Sequence, residues 1–377
     1  GTTALVLGNS TIDGDLTLTS TATGTTGITD TGTLNIRGTT TISASGVNVT
    51  LNSAANRFQG SIAIDGSDVV VVNANSTTDL AASTVTGTYT LTASGAVTDS
   101  DTLAITGDTT ISAASGNVTL NTATNNFQGA VAIDGVNVIV VDAGAIDLGA
   151  STVTGTYAVT ATAGGDITDS GVLTITGLAT FTAASGQNVT LNETSTFSSD
   201  VNFTTASGNL ANVTITDTTD FEIQALTLTG NLGVTSTGGS ITDDGALAIS
   251  GTSSFTTSAS NEDITLDITT NAFTGAVALN TTGSTGNAEV DGGTTQLIIA
   301  ASTVGGNLKL TSGNATGITD SGTVTVSGNL IAVNDVSNGD INMGTLAVDG
   351  TIALVTTGTE GDVTLVNDAG LDFATSS

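Results

Sequence analysis

Apolar and polar residues alternate with period two through one short run after another. Val49-Thr50-Leu51 and Val118-Thr119-Leu120 are typical, and each run is bounded by Gly, Asn, Asp or Ser. Strict alternation over a few residues predicts short strands with one face buried. No stretch combines helical periodicity with capping residues, so the chain reads as all strand and corner.

The runs also repeat as words. Ile28-Thr29-Asp30-Thr31 returns as Val97-Thr98-Asp99-Ser100, Ile167-Thr168-Asp169-Ser170, Ile241-Thr242-Asp243-Asp244 and Ile318-Thr319-Asp320-Ser321, at spacings of 69, 70, 74 and 77 residues. Arg57-Phe58-Gln59-Gly60 to Gly66 matches Asn126-Phe127-Gln128-Gly129 to Gly135, and Ser83 to Tyr89 matches Ser151 to Tyr157. A long internal period predicts a stacked architecture, in which each unit buries its apolar face only against its neighbours. The units fall at 1–30 (partial), 31–100, 101–170, 171–244, 245–321 and 322–377 (partial), and form one solenoid over residues 1–377. Eight or nine strands per unit, three to a coil, give about three coils per ~70-residue repeat and about 16 coils in all. The expected fold is a parallel β-solenoid, or β-helix. A string of sandwich domains would need longer loops and a more aromatic core.

Composition agrees. Aromatics are only 3% of the chain and Trp is absent, so the core must be thin and built from Val, Ile, Leu and Ala. There is no proline, which would delete a ladder bond wherever it entered a sheet. The 48 glycines read as corners requiring positive φ. Segments 197–230 and 275–293 depart most from the repeat and read as loops bulging from one face.

Charge excludes whole classes of partner. Asp and Glu total 34 against three basic residues, Arg37, Arg57 and Lys309, for a formal net charge of −31. Nucleic acid needs Lys and Arg at its phosphates, so it is excluded, and anionic membrane surfaces are disfavoured. No apolar run reaches the length of a membrane span. Without His or Cys there is no His-based triad, thiolate or ordinary zinc site. Paired acids, Asp243-Asp244 and Glu262-Asp263, could in principle hydrolyse a glycoside. Solvated corner residues are the plainer reading, so no catalytic or cofactor-binding residue is assigned and the chain reads as a non-enzyme.

Three further features have a binding reading and a bland one. The recurring Asp30, Asp99, Asp169, Asp243 and Asp320 would line one edge as a file and could attract calcium. Aspartate turns bonded to backbone N–H groups explain them without an ion. Thr-x-Thr pairs (Thr17/Thr19, Thr86/Thr88, Thr174/Thr176, Thr227/Thr229) suggest an ice-binding face, but an array must recur in every coil. Asn48, Asn117 and Asn188 open glycosylation sequons, and also read as stacked corner asparagines. The terminal coils, 1–30 and 350–377, share a phase of the repeat and show no polar cap. Open sheet edges there predict that copies stack end to end, or that the natural chain continues.

These repeated phrases resemble the long-repeat segments of giant bacterial exoproteins of the filamentous-haemagglutinin type. The resemblance covers essentially the whole chain. It implies a right-handed β-helix shaft, placed outside a prokaryotic cell or on its surface, with adhesion or coat roles and no enzymology. The expected function is the shaft of a giant adhesin, or a subunit of a surface fibre, contacting itself and another cell surface or glycan. The alternative is a glycan- or ice-binding module on the same scaffold, carried by the irregular 197–293 region.

Overall fold

The computed structural model describes residues 4–21 and 27–374. Among these are 48 strands and no helix. The fold is an all-β parallel solenoid of about 16 turns, with about 22 residues from one turn to the next. The chain forms two compact units, Gly1–Gln187 and Asn188–Ser377. Residues 1–3, 22–26 and 375–377 of the expected terminal coils lie outside the described residues.

In the first unit each early turn carries three strands. Leu5–Leu7, Ser10–Ile12 and Leu16–Thr19 are followed one turn on by Ile28–Asp30, Leu34–Ile36 and Thr40–Ser43. Each strand lies parallel and in register with its counterpart: Leu5 against Ile28, Ser10 against Leu34, Leu16 against Thr40. Alternation then decides what is inside. Ile28, Leu34, Ile36, Ile42, Val49 and Leu51 are buried in a dry aliphatic core. Removing each such side chain from water stabilises the fold by about 1.5–3 kcal/mol.

A repeat does not contain a whole number of turns. After strand Val69–Asn73, no strand is laid on Arg57–Phe58. The Asn73 side chain takes its place: its Oδ1 accepts the Phe58 N–H at 3.0 Å and its Nδ2 donates to the Phe58 carbonyl at 3.0 Å. The next strand, Thr77–Leu80, then joins the ladder of Ile62–Asp65 through Leu80 and Ile62. From Ile28–Asp30 up to its equivalent Ala96–Asp99 the chain makes ten strands rather than eight or nine. At three to a turn that is three and a third turns, so this repeat advances the chain by one strand around the axis.

This advance overturns the expected file of aspartates. Asp30 lies on a strand stacked between Leu5–Leu7 and Val49–Leu51. Asp99 lies in another sheet, between Thr77–Leu80 and Val118–Leu120. The second unit does the same. The strand of Asp243 pairs with Phe221–Ile223 and Ile264–Leu266, whereas that of Asp320 pairs with Leu297–Ile299 and Ile341–Val348, in a different sheet.

Two other expectations are corrected. Only eight glycines among the described residues have positive φ. Most of the others are small because the turns pack so closely: a Cβ on Gly107 would sit 2.6 Å from the Gly87 carbonyl carbon and oxygen. Segments 197–230 and 275–293 are not loops bulging from a face. They carry strands Val201–Thr204, Val213–Asp217, Phe221–Ile223, Val277–Thr282 and Ala288–Asp291, and Phe197 and Phe221 are buried in place of aliphatic residues.

Candidate functional site

The recurring phrase builds its own local structure. In Ile28-Thr29-Asp30 alternation turns Ile28 and Asp30 inward and Thr29 outward. A carboxylate turned inward must be hydrogen-bonded. Its donors come from the corner one turn on. Asp30 accepts the N–H of Asn52 at 3.0 Å, that of Ser53 at 3.2 Å and the Asn56 amide at 2.6 Å. Asn56 is wholly buried, and its Oδ1 accepts the Leu34 N–H at 2.8 Å.

The same clasp recurs. Asp99 takes Asn121 N–H, Thr122 N–H and the Asn125 amide at 2.9, 3.1 and 2.6 Å, and Asn125 takes Leu103 N–H at 2.8 Å. Asp243 takes Asp267 N–H and the Asn271 amide at 3.2 and 2.7 Å, and Asn271 takes Leu247 N–H at 2.8 Å. Burial pushes the Asp243 carboxyl up, and the nearby Asp267 charge adds to this, against the donors from Asn271 and Asp267 N–H. Asp320 uses Gly344 N–H, Thr345 N–H and the Thr345 hydroxyl, at 2.9, 2.6 and 2.8 Å. Asp169 is nearly buried on a strand paired with Ile146–Leu148. The aspartate-turn geometry therefore accounts for Asp30, Asp99, Asp243 and Asp320. The partner asparagines were not singled out from the sequence. Their signal was there, since Asn56, Asn125 and Asn271 each stand two residues before a recurring phenylalanine.

The sequon asparagines also form corner stacks. Asn48 Oδ1 accepts Asp68 N–H at 3.2 Å, Asn117 Oδ1 accepts the Asn137 amide at 3.0 Å, and Asn188 Oδ1 accepts the Asn212 amide at 2.7 Å. The paired acids do comparable work. Glu262 accepts the Ser240 hydroxyl at 2.7 Å, and Asp263 accepts Asn287 N–H at 2.7 Å. Tyr89 and Tyr157 are buried in the core, so neither offers a stacking platform to a glycan. Among the basic residues, Lys309 pairs with Glu289 at 2.6 Å and Arg37 with Asp13 at 2.8 Å, both on the surface.

The second unit carries open grooves, one of them beside the buried phenylalanines. Phe197, Asp200, Val201, Asp220, Phe221 and Glu222 line about 390 Å³ of it. Its rim is acidic. Among the described residues no three or more of His, Cys, Asp and Glu are grouped to hold a metal ion.

Parallel rungs, an aliphatic core and corners closed by side chains define a repeat-built β-solenoid, a structural repeat scaffold. A family model described as repeats of unknown function (DUF5649) matches residues 1–65, 66–134, 135–204 and 210–280, and the chain belongs to that family. No curated protein and no solved structure matches it.

Proposed function

We propose that this chain is a structural element displayed outside a prokaryotic cell. It would serve as the shaft of a large adhesin, or as a fibre subunit whose copies stack end to end. One observation carries the reading: within each unit, strand after strand pairs with the next turn in parallel over a dry core. Such continuous ladders suit a scaffold that gives stiffness and reach. The acidic surface, with three basic residues in the chain, leaves trypsin few cut sites and suits exposure outside a cell. No helix among the described residues is long and apolar enough to cross a membrane. The acidic groups at the corners are spent on hydrogen bonds, which favours a non-enzymatic role.

Further stacking, of a second copy or of a continuing chain, would take place on the edge strands. Leu5–Leu7 carries Leu5 and Val6 at 42% and 54% exposure. Val363–Asn367 carries Val363 and Val366 at 43% and 57%. Unpaired edges with exposed aliphatic residues accept further strands. The test is electron microscopy of the purified chain beside a V363K/V366K variant. Filaments many chains long, lost in the variant, support the fibre. Single particles at every concentration, with or without calcium, reject self-stacking and leave the shaft role alone.

A second reading is a module binding an ordered surface such as ice or a glycan. It is favoured by one uncharged outward column in the second unit, in which Thr216, Thr235, Thr256, Asn280, Thr303 and Thr325 lie in register on successive turns. The neighbouring column is broken by Gly233, beside Thr214 and Ser254, which counts against a flat two-column array. Thermal-hysteresis and polysaccharide pull-down assays separate this reading from the first.

A further inference from the structure

The place where each repeat skips a strand is occupied by a chemical series. In the first unit Asn73 fills it once and Asp142 fills it next, with Asp142 Oδ2 accepting Phe127 N–H at 2.6 Å and Oδ1 accepting Gly144 N–H at 2.6 Å. In the second unit Asp217 accepts Phe197 N–H at 2.9 Å, and Asn367 both accepts Val348 N–H at 2.8 Å and donates to its carbonyl at 3.2 Å. Asn73, Asp142 and Asp217 are all wholly buried.

The two residue types are not equivalent there. The Asn73 amide donates to the Phe58 carbonyl and, at 3.1 Å, to the Thr78 hydroxyl. An ionised aspartate has no hydrogen to give. It also places an unpaired negative charge in a core where ionised groups are costly.

The surroundings supply no counter-charge. Asp142 lies on a strand between Val118–Leu120 and Tyr157–Ala161, and Asp217 on one between Val189–Phe197 and Leu232–Ser236. The one charged residue on those four strands is Glu193, which is exposed. Burial pushes the Asp142 carboxyl up against the Phe127 and Gly144 N–H groups. It does the same to Asp217 against the Phe197 N–H, the Thr219 hydroxyl and the N–H groups of Thr218 and Thr219. The corresponding Asp291 is also pushed up by burial, but Asp335, Glu289 and Lys309 act on it as well, and it is only half-buried.

We propose that Asp142 and Asp217 are proton-binding latches. Each takes up a proton inside the folded solenoid at an acidity that leaves exposed carboxylates ionised, which removes the charge from a wholly buried site that holds no counter-charge. Acidification therefore tightens the strand-skip corners. The direction follows from linkage. The folded chain holds these protons more firmly than the unfolded chain, so stability is gained as pH falls through the raised folded value. The gain is complete once pH reaches the ordinary carboxylate range, and it is lost as pH rises.

The test is urea unfolding of the full chain, wild type against D142N/D217N, from about pH 8 down to about pH 5. The double variant is expected to unfold at higher urea than wild type at the alkaline end, with the gap closing as pH falls. General relief of self-repulsion on acidification acts on both proteins, so the pH dependence of the gap isolates the two sites. A gap that is absent or constant overturns the proposal. Infrared spectroscopy of the wild type gives a second measurement that needs no variant to fold. A protonated-carboxyl stretch is expected at mildly acidic pH, and its absence while the fold is intact also overturns the proposal.

Discussion

Asn56 gives its amide hydrogen to Asp30 across 2.6 Å while its carbonyl oxygen takes the Leu34 N–H at 2.8 Å. One side chain thus ties the end of one strand to the start of the next strand on the same turn, from a corner one turn on. All three groups sit where water does not reach easily, so none has an alternative partner.

Replacing Asn56 with Ala leaves the Leu34 N–H without an acceptor and takes one donor from Asp30. Each buried group left unpaired costs about 1–3 kcal/mol. The expected result is a lower urea midpoint and faster amide exchange at Leu34. N125A should behave alike at Leu103, because its neighbours repeat those of Asn56. Unchanged exchange at Leu34 would remove the clasp from the account. Exchange at single amides is the sharper readout, since repeat arrays need not unfold in one step.

Gly107 tests the close approach of the turns. Its N–H donates to Gly87 O at 2.9 Å, and an added Cβ would press on the Gly87 backbone. Backbone cannot swing aside as a flexible side chain can. G107A is expected to destabilise by about 1–3 kcal/mol, the usual range for overpacking. G46A probes the other kind of glycine. Gly46 has φ of 82° and open space around its Cβ position, so its cost comes from conformation alone. Thermal unfolding of the two variants compares these causes, and a Gly107 variant as stable as wild type would refute the steric one.

Salt and calcium separate screening from binding. With a formal net charge of −31, added salt should raise the unfolding midpoint by weakening self-repulsion. Asp30, Asp99, Asp243 and Asp320 already accept N–H or O–H donors and lie in different sheets within each unit, so no shared calcium cage is expected from them. Calcium should therefore act as magnesium does at equal ionic strength. A calcium-specific rise in the midpoint would show a binding site and reverse this view.

Much of the architecture was legible in particular residues. Val49-Thr50-Leu51 and Val118-Thr119-Leu120 announced strands, and both put Val and Leu inside. The five recurring aspartates marked the corners that matter, although their purpose was visible only once Asn56, Asn125 and Asn271 were seen facing three of them. The glycines were misread because a residue without a Cβ looks the same in sequence whether φ or a neighbouring turn demands it. Phe197 and Phe221 looked like a break in the pattern because size, unlike polarity, leaves no mark on an alternating code.

By itself the sequence determined the strands, which face of each is buried, and the fact of stacking. All three follow from local alternation and from a repeated word, because a strand's pleat has period two whatever lies beside it. Only the tertiary structure decided how far a repeat carries the chain around the axis. The step falls where Asn73 or Asp142 stands against Phe58 or Phe127 in place of a stacked strand. Those residues meet across a gap of fifteen positions, and a side chain that imitates a peptide group has no periodic signature along the chain. The resulting third of a turn carries Asp99 to a different sheet from Asp30, and Asp320 to a different sheet from Asp243, and so broke the continuous aspartate file that the linear spacing had suggested.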